Sequence, residues 1–305
     1  MDIYLPIAGL SVDALLMVAL GGLVGVLSGM FGVGGGFLTT PLLIFYGIPP
    51  TVAVASATTQ ITGSSVSGVF AHLRRGGVDL KMGGVMVAGG VFGSLAGAGI
   101  FRLLQKSGQI DLVIAFLYVV LLGSIGALML KDAVVALGWV KLAEPAETDQ
   151  KPRHNRWIAS LPGRWRFYAS GLYLSPIAPA ALGFLAGILT VLLGVGGGFI
   201  LVPAMIYILG MAARVVVGTS LVMILAVSAF STMTHALTTH AVDIVLAALL
   251  LVGGVIGAQY GALLATRLRP DLLRFALAVI ILLVALRMFL GLAWRPDEIY
   301  SIEYL

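Results

Sequence analysis

Residues 14–73 contain no Asp, Glu, Lys or Arg, and this run of 60 residues constrains the fold more than any other feature of the chain. As a single α-helix the run would be about 90 Å long, roughly three times the thickness of a bilayer's hydrocarbon core. The chain therefore has to fold back within the membrane. Glycines and prolines interrupt the run at residues 32–36 and 47–50. We expect helices over residues 10–31, 37–46 and 51–73, the second of them too short to cross the bilayer.

The composition agrees with a membrane protein. Charged residues make up 10% of the chain and hydrophobic residues 60%, with a mean hydropathy of +1.08, whereas a soluble domain carries about 25% charged residues. This excludes an ordinary cytosolic enzyme and a disordered chain. The net charge of +5 comes from Lys and Arg in short loops, which is typical of membrane orientation rather than of nucleic-acid binding. Cysteine and the His-Glu-x-x-His pattern are absent, so we expect no metal, no cofactor and no enzymatic activity.

The chain is a duplication of one unit. The pattern Gly-Val-Gly-Gly-Gly-Phe at residues 32–37 returns 162 residues later, at residues 194–199. His72 returns as His235 and Asp79 as Asp243, with a drift of only one or two residues. Glycines at four-residue spacing also recur and predict a close-packing stripe on two helices; they are Gly89, Gly93, Gly97, Gly253, Gly257 and Gly261.

The expected fold is an all-α polytopic membrane protein with two transmembrane repeats, residues 1–130 and 171–305, joined by a polar cytoplasmic linker over residues 131–170. We name residues 32–36 the first glycine break and residues 194–198 the second. In each repeat, a broken-helix hairpin around the glycine break precedes three transmembrane helices. The remaining helices are expected over residues 82–104, 112–130, 172–193, 199–209, 215–240, 244–266 and 272–290.

Positive charge on short loops predicts that the two repeats are inverted. Three crossings after each hairpin give each repeat an odd number of membrane passages, so the second repeat enters from the opposite side. With the linker in the cytoplasm, this arrangement puts 14 of the 18 Lys and Arg residues on the cytoplasmic side, in agreement with the positive-inside rule. Both termini then lie outside.

The two glycine breaks are the leading candidates for a binding site. Irregular backbone within a membrane is tolerated only inside protein or beside a water-filled cavity, and each break frees backbone amides at the positive end of a short helix. Left-handed glycines can aim successive amides at one point and form an anion nest, which inverted copies would place near the bilayer midplane. The alternative is that the glycines only break helices. The candidate residues are Gly34, Gly35, Gly36, Gly196, Gly197 and Gly198.

The helices that follow the breaks carry many hydroxyl groups, most of which we interpret as helix-packing contacts. A few polar side chains lie one to two turns into these helices, where they could reach groups at mid-depth. These candidate neutral donors to the anion are Thr58, Thr59, Gln60, Thr219 and Ser220.

Titratable residues near the helix ends are candidates for gating or proton relay. His72 and His235 occupy matched positions and could move protons, although a lone histidine is more often structural. Arg75, Asp79 and Asp243 are the charged candidates near them in sequence. The two aspartates begin the next helix of each repeat and are expected to cap it; for Asp79 an interfacial ion pair with Arg75 or Lys81 is the alternative.

The segments GVGGGFLTTP and GVGGGFILVP, together with His72-Leu73-Arg74-Arg75-Gly76 and Val78-Asp79, are similar to motifs of the TauE/SafE family of sulfite and organosulfonate exporters. The resemblance extends over about residues 10–292. It implies a multi-span inner-membrane carrier of small sulfur oxyanions or organosulfonates. It also maps the family's glycine motifs to the two breaks and its histidine and basic-loop motif to His72, Arg74 and Arg75. The second repeat keeps His235 but lacks the Arg pair, which orientation by positive charge alone explains.

We therefore expect a secondary transporter that exports such an anion by alternating access, coupled to protons. A passive anion channel of the same fold and a membrane receptor or scaffold without transport are the alternatives. Sodium coupling stays open, because unwound carbonyl groups can also bind Na+. The expected partners are the small anion and the lipid bilayer, without nucleic acid, and a homo-oligomer is left open.

Overall fold

The structure is a computed structural model, and it describes residues 2–31, 35–74, 76–137, 162–265 and 270–293. In the first half, an antiparallel β-hairpin precedes five α-helices. The elements are β1 (Asp2–Leu5), β2 (Leu10–Asp13), α1 (Ala14–Phe31), α2 (Gly36–Phe45), α3 (Pro50–Arg74), α4 (Leu80–Lys106) and α5 (Ile110–Ala136).

The second half repeats this order of elements. They are β3 (Trp165–Phe167), β4 (Leu172–Leu174), α6 (Ile177–Leu193), α7 (Gly198–Tyr207), α8 (Ala213–Thr238), α9 (Ile244–Ala265) and α10 (Pro270–Ala293). Within the described residues, α4, α5, α8, α9 and α10 are long and apolar enough to cross a bilayer. The all-α polytopic fold class predicted from the sequence is therefore confirmed.

The two β-hairpins were not expected. The sequence predicts helices from residues 10 and 172, but α1 begins at Ala14 and α6 at Ile177. Asp13 ends the first hairpin because its Oδ1 accepts hydrogen bonds from the Leu15 and Leu16 amides, at 2.8 and 3.1 Å. A carboxylate in this position caps the first turn of a helix and fixes where it starts. Gly9 and Gly171, each at a φ of +68°, provide the left-handed residue at equivalent places in the two hairpin turns.

The boundaries of the polar linker also differ from the predicted ones. Helix α5 continues to Ala136, inside the region predicted as linker over residues 131–170, and strands β3 and β4 lie across its other end. The part of the predicted linker at residues 138–161 lies outside the described residues.

The predicted glycine stripes are confirmed as close helix contacts. A Cβ added at Gly93 would lie 2.7 Å from the Phe184 carbonyl carbon, and one added at Gly257 would lie 2.9 Å from that of Gly22. Only glycine lets these backbones approach so closely. Along the α4–α6 contact, Gly89 faces Ala180 and Gly93 faces Phe184, so the two helices run parallel. The α1–α9 contact has the same direction, since Gly21 faces Leu250 and Gly29 faces Ala258.

The two halves are packed into each other rather than side by side. Helices α1, α3, α4 and α5 of the first half pack against α9, α8, α6 and α10 of the second, respectively. The equivalent long helices α3 and α8 run antiparallel: Thr59 meets Thr232, Thr62 meets Ser228, and Gly68 meets Leu221. Each short helix packs against the helix before it. Leu43 of α2 clusters with Met17 of α1, and Leu201 of α7 clusters with Ala186 of α6.

Candidate functional site

The two glycine breaks touch each other. A Cβ added at Gly36 would lie 2.8 Å from the Gly194 carbonyl oxygen, so the two backbones are in direct contact. Next to this contact the buried rings of Phe37 and Phe199 are stacked, with centroids 4.5 Å apart and planes 8° from parallel. Because α2 begins at Gly36 and α7 at Gly198, the positive dipole ends of both short helices point toward this junction.

The second glycine break has the backbone geometry that the sequence predicts. Gly194, Gly196 and Gly197 have φ values of +69°, +70° and +75°, all in the left-handed region that L side chains rarely adopt. Gly197 is also confined by packing, because its added Cβ would lie 3.2 Å from the Ala186 Cβ. A substitution here therefore meets both backbone strain and a crowded site.

The described part of the first glycine break differs from this geometry. Gly35 has a φ of −58°, in the right-handed helical region, so the left-handed conformation expected for these glycines is not found at this residue; Gly34 lies outside the described residues. Close approach explains why glycine is needed at Gly35, where an added Cβ would lie 2.6 Å from the Val24 Cγ1. The same holds at Gly36, where it would collide with the Ile61 side chain.

Two side chains from other helices hold the end of α6, immediately before the second glycine break. The Tyr118 hydroxyl donates to the Leu193 carbonyl, and the His235 Nε2–H donates to the Val191 carbonyl at 3.0 Å. The last carbonyls of a helix have no partner within the helix, so these bonds satisfy groups that would otherwise be buried without one. The His235 ring also packs edge-on against Phe101, with centroids 5.0 Å apart.

Gln60, one of the predicted donors, is linked to the first glycine break through Thr39. Its Oε1 accepts a hydrogen bond from the Thr39 hydroxyl at 3.1 Å, and the same hydroxyl lies 3.2 Å from the Gly35 carbonyl oxygen. On its other side the Gln60 amide packs against Gly254 of α9. Gln60 thus connects the start of α2 to a helix of the second half.

The other predicted donors are engaged in helix contacts. Thr58 and Ser220 donate to carbonyls of their own helices, Thr58 to Ala55 at 2.7 Å and Ser220 to Val217 at 2.9 Å. Thr59 donates to Ala55 and meets the Thr232 hydroxyl of α8 at 3.4 Å. Thr219 accepts a hydrogen bond from the Asp79 amide at 2.9 Å. In this conformation these hydroxyls act as packing groups, which is the alternative that the sequence left open.

Asp79 and Asp243 cap their helices, as the sequence predicts. The Asp79 Oδ1 accepts from the Met82 amide at 3.0 Å, and the Asp243 Oδ1 accepts from the Leu246 amide at 3.1 Å. Each second oxygen binds the turn of a β-hairpin: Ser170 donates to the Asp79 Oδ2 at 2.7 Å, and the Ile7 amide donates to the Asp243 Oδ2 at 3.1 Å. The Asp243 amide in turn donates to Ser56, the residue equivalent to Thr219. Each aspartate therefore connects a helix of its own half to the β-hairpin of the other half.

The remaining gating candidates are only partly described. His72 is half-buried near the end of α3, and Arg75 lies outside the described residues. Lys81 does not take the ion-pair role considered for it. Its Nζ instead donates to the Arg166 carbonyl at 3.2 Å and lies 5.2 Å from the centroid of the Trp165 ring.

Comparison with known proteins agrees with this architecture. The sequence pattern of the family "Sulfite exporter TauE/SafE" matches residues 17–288. The chain belongs to the TauE/SafE family. It is 31% identical over 287 residues to the "Probable membrane transporter protein YjnA" of Bacillus subtilis (strain 168), covering 92% of this chain and 100% of that protein. It is 28% identical over 270 residues to a "Probable membrane transporter protein" of Xylella fastidiosa (strain Temecula1 / ATCC 700964), covering 87% and 91%.

A further TauE/SafE relative is the "Probable membrane transporter protein YunE" of Bacillus subtilis (strain 168), which is 25% identical over 279 residues, covering 88% of this chain and 94% of that protein. No solved structure matches the chain. Family and fold together make this TauE/SafE protein a multi-pass membrane transporter of the inner membrane. Among its described residues, no group of three or more His, Asp or Glu could hold a metal ion.

Sequence reasoning missed two residues at the site of this TauE/SafE protein. Tyr118 is fully buried. A buried tyrosine hydroxyl usually has a hydrogen-bond partner, so a tyrosine within an apolar helix could have been singled out from the sequence as a polar contact. Thr40 lies beside Gly194 and the Tyr118 hydroxyl, and its Oγ1 makes no hydrogen bond of good geometry with any described residue. Thr40 is therefore a buried hydroxyl next to the second glycine break, with the Tyr118 hydroxyl as a polar neighbour.

Proposed function

We propose that the protein is a secondary transporter that exports sulfite or a small organosulfonate anion by alternating access, coupled to protons. The observation that carries this proposal is the contact between the two glycine breaks, where Gly36 meets Gly194 and Phe37 stacks on Phe199. Two short-helix amino termini directed at one junction create a positive potential without any Lys or Arg side chain. Such a site suits a small anion that has to be released again.

The chemistry around the junction supports an oxyanion as the ligand. Sulfite and sulfonates present several acceptor oxygens and need donors. The candidate donors are the amides of the second glycine break and the Thr40 hydroxyl, which is buried and makes no hydrogen bond of good geometry with any described residue. Gln60 and Thr39 form a second polar group beside Gly35. Neutral donors bind an anion more weakly than an arginine pair would, in keeping with transport.

Alternating access requires two conformations related by the symmetry of the repeats, and the packing supports an inverted arrangement. The equivalent helices α3 and α8 run antiparallel, as the pairs Thr59–Thr232 and Thr62–Ser228 indicate. An inverted pair of repeats can exchange conformations, which opens the same site to opposite sides of the membrane. The glycine-mediated pairs α1–α9 and α4–α6 would then move as rigid units, since their backbones are in contact.

Proton coupling is assigned to His235 and, by symmetry, to His72. The His235 Nε2 binds the Val191 carbonyl two residues before the end of α6, and Nδ1 faces Thr239 at 3.5 Å. A proton taken up at Nδ1 would create a charge in a buried position, which favours a conformation in which the ring reaches water. Proton binding would in this way bias the position of α6 and of the second glycine break.

Flux measurements in proteoliposomes test the binding site. Sulfite uptake by the wild-type protein is compared with that of Gly197→Val, which adds a branched side chain at a φ of +75° beside Ala186. The matched control is Gly123→Val, because an added Cβ at Gly123 meets nothing within 4 Å. We expect Gly197→Val to lose sulfite uptake while the control keeps it. Full uptake by folded Gly197→Val would refute the proposed site.

A pH gradient tests the coupling and separates the alternatives. Wild-type sulfite flux should follow an imposed pH gradient, and His235→Gln, whose amide can still donate to the Val191 carbonyl, should keep flux but lose that response. Flux that ignores the gradient and exceeds carrier rates would instead indicate a passive channel. Absence of flux, together with no thermal stabilisation by sulfite, sulfoacetate, taurine, sulfate or acetate, would indicate a receptor or scaffold.

A further inference from the structure

Ile61 of α3 lies against both glycine breaks at once. A Cβ added at Gly36 would collide with the Ile61 Cδ1, and one added at Gly196 would lie 2.9 Å from the Ile61 Cγ2. The side chain is only 1% exposed. A single isoleucine from the long helix thus covers the start of α2 and the left-handed segment of the second break.

Ile224 of α8 occupies the equivalent position in the second repeat, 163 residues after Ile61. Its Cγ2 would lie 3.3 Å from a Cβ added at Gly196, and it is also 1% exposed. The two isoleucines therefore meet at the same glycine, one from each repeat. Their β-branched side chains have one strongly preferred χ1 rotamer in a helix, so a rotation that moved either side chain away from Gly196 would cost free energy.

The contact between α3 and α8 next to this pair is polar. Thr62 follows Ile61 directly, and Ser228 lies one helical turn after Ile224; the Thr62 hydroxyl donates to the Ser228 hydroxyl at 3.0 Å. Ser231 is buried without a hydrogen-bond partner among the described residues. An anion could be solvated by these hydroxyls on one side and by the amides of the breaks on the other. On a path that passes Gly196, the isoleucine pair would form an apolar constriction, which opposes the passage of a hydrated ion.

We propose that Ile61 and Ile224 close the anion site and determine the size of the anion that it accepts. This inference rests on the proposed function, since it assigns the closing residues of that same site. Both isoleucine side chains lie against Gly196, and Ile61 also lies against Gly36, so an anion bound at the breaks would have an apolar wall on that side. This favours a compact anion such as sulfite over a sulfonate with a longer carbon chain.

The test is an influx measurement in proteoliposomes with two anions, sulfite and the longer sulfoacetate. The variants are Ile61→Ala and Ile224→Ala, with Ile281→Ala as the matched control, since Ile281 is fully buried but packs against Gly126 of α5. We expect the ratio of sulfoacetate to sulfite influx to rise at least about tenfold in Ile61→Ala and Ile224→Ala, because a single methylene group in an apolar pocket changes selection by about tenfold or more and each of these substitutions removes three carbons. The control should keep the wild-type ratio.

Smaller substitutions keep the test decisive if an alanine variant does not fold. Ile61→Val and Ile224→Val remove one carbon each and should raise the same ratio in the same direction, by less. A wild-type ratio in all folded Ile61 and Ile224 variants, with wild-type sulfite flux intact, would refute the closing role and leave the proposed function standing. A wild-type protein that moves neither anion above protein-free vesicles would refute the proposed function, and the closing role with it.

Discussion

Replacing Tyr118 by phenylalanine tests whether the end of α6 depends on a hydrogen bond from α5. The change removes one oxygen from a fully buried side chain and leaves its ring in place. What it takes away is the donor to the Leu193 carbonyl, the last residue of α6. That carbonyl has no partner within the helix and would be buried without one in the variant.

The expected cost follows from this geometry. A buried acceptor left without its donor costs about 1–3 kcal/mol, whereas side-chain hydrogen bonds between membrane helices average about 0.6 kcal/mol. We expect the hydrogen bond of Tyr118 to contribute more than that average, because its hydroxyl is completely buried and its partner is a helix-end carbonyl. We therefore expect Tyr118→Phe to lower the free energy of unfolding by about 1–2 kcal/mol.

Unfolding in detergent with increasing denaturant, followed by circular dichroism, measures this difference. Tyr260→Phe is the matched control, because Tyr260 is 67% exposed on α9 and a surface change of this kind stays within about 0.5 kcal/mol. Sulfite flux should also fall in Tyr118→Phe, since Leu193 directly precedes the second glycine break. Equal stability of the two variants and the wild type would mean that the Leu193 carbonyl does not need Tyr118.

Three further predictions concern packing, capping and topology. Gly257→Leu should prevent folding, because its side chain would enter the Gly22 backbone, whereas Gly84→Leu, with open space around it, should not; size-exclusion chromatography of the detergent extracts distinguishes the two. Asp79→Ala should destabilise the protein by about 1 kcal/mol or more through the lost cap, and a double-mutant cycle with Ser170→Ala should show coupling, because the Ser170 hydroxyl donates to the Asp79 Oδ2; strict additivity would contradict that hydrogen bond. A His240→Cys probe, in a chain without native cysteine, should react with an impermeant thiol reagent only from outside; labelling from the cytoplasm alone would contradict the inverted arrangement.

The features that sequence could predict are those that repeat along the chain. The glycine stripes at Gly93 and Gly257 and the two glycine breaks recur at a fixed distance, and the spacing itself identifies a helix face or a helix end. The caps at Asp79 and Asp243 also recur in both repeats. They were predictable because a capping side chain binds amides only two or three positions along the chain. The short helices α2 and α7 were predictable because each begins directly at the end of a glycine break.

Features that depend on distant segments could not be predicted. Tyr118 and Leu193 come together only after folding, and so do Gln60 and Gly254. The hairpins were missed because their strands of three or four residues are too short to show a clear alternation, and they adjoin apolar helices. Hydroxyl-rich stretches were equally ambiguous: Thr58 binds its own helix while Thr59 also reaches α8, a difference that depends on helix rotation.

The pairing of α1 with α9 has a consequence for how the protein is made. Gly21 and Gly25 face Leu250 and Gly254, so the ribosome has to synthesise most of the second half before α1 can find its neighbour. During that interval the first half exposes glycine-rich backbone to lipid, a state in which membrane proteins are vulnerable to misassembly and degradation. Separately expressed halves should therefore be short-lived alone and rescued by co-expression. An insertase or chaperone that shields α1 until α9 arrives would have a defined task in the biogenesis of this chain.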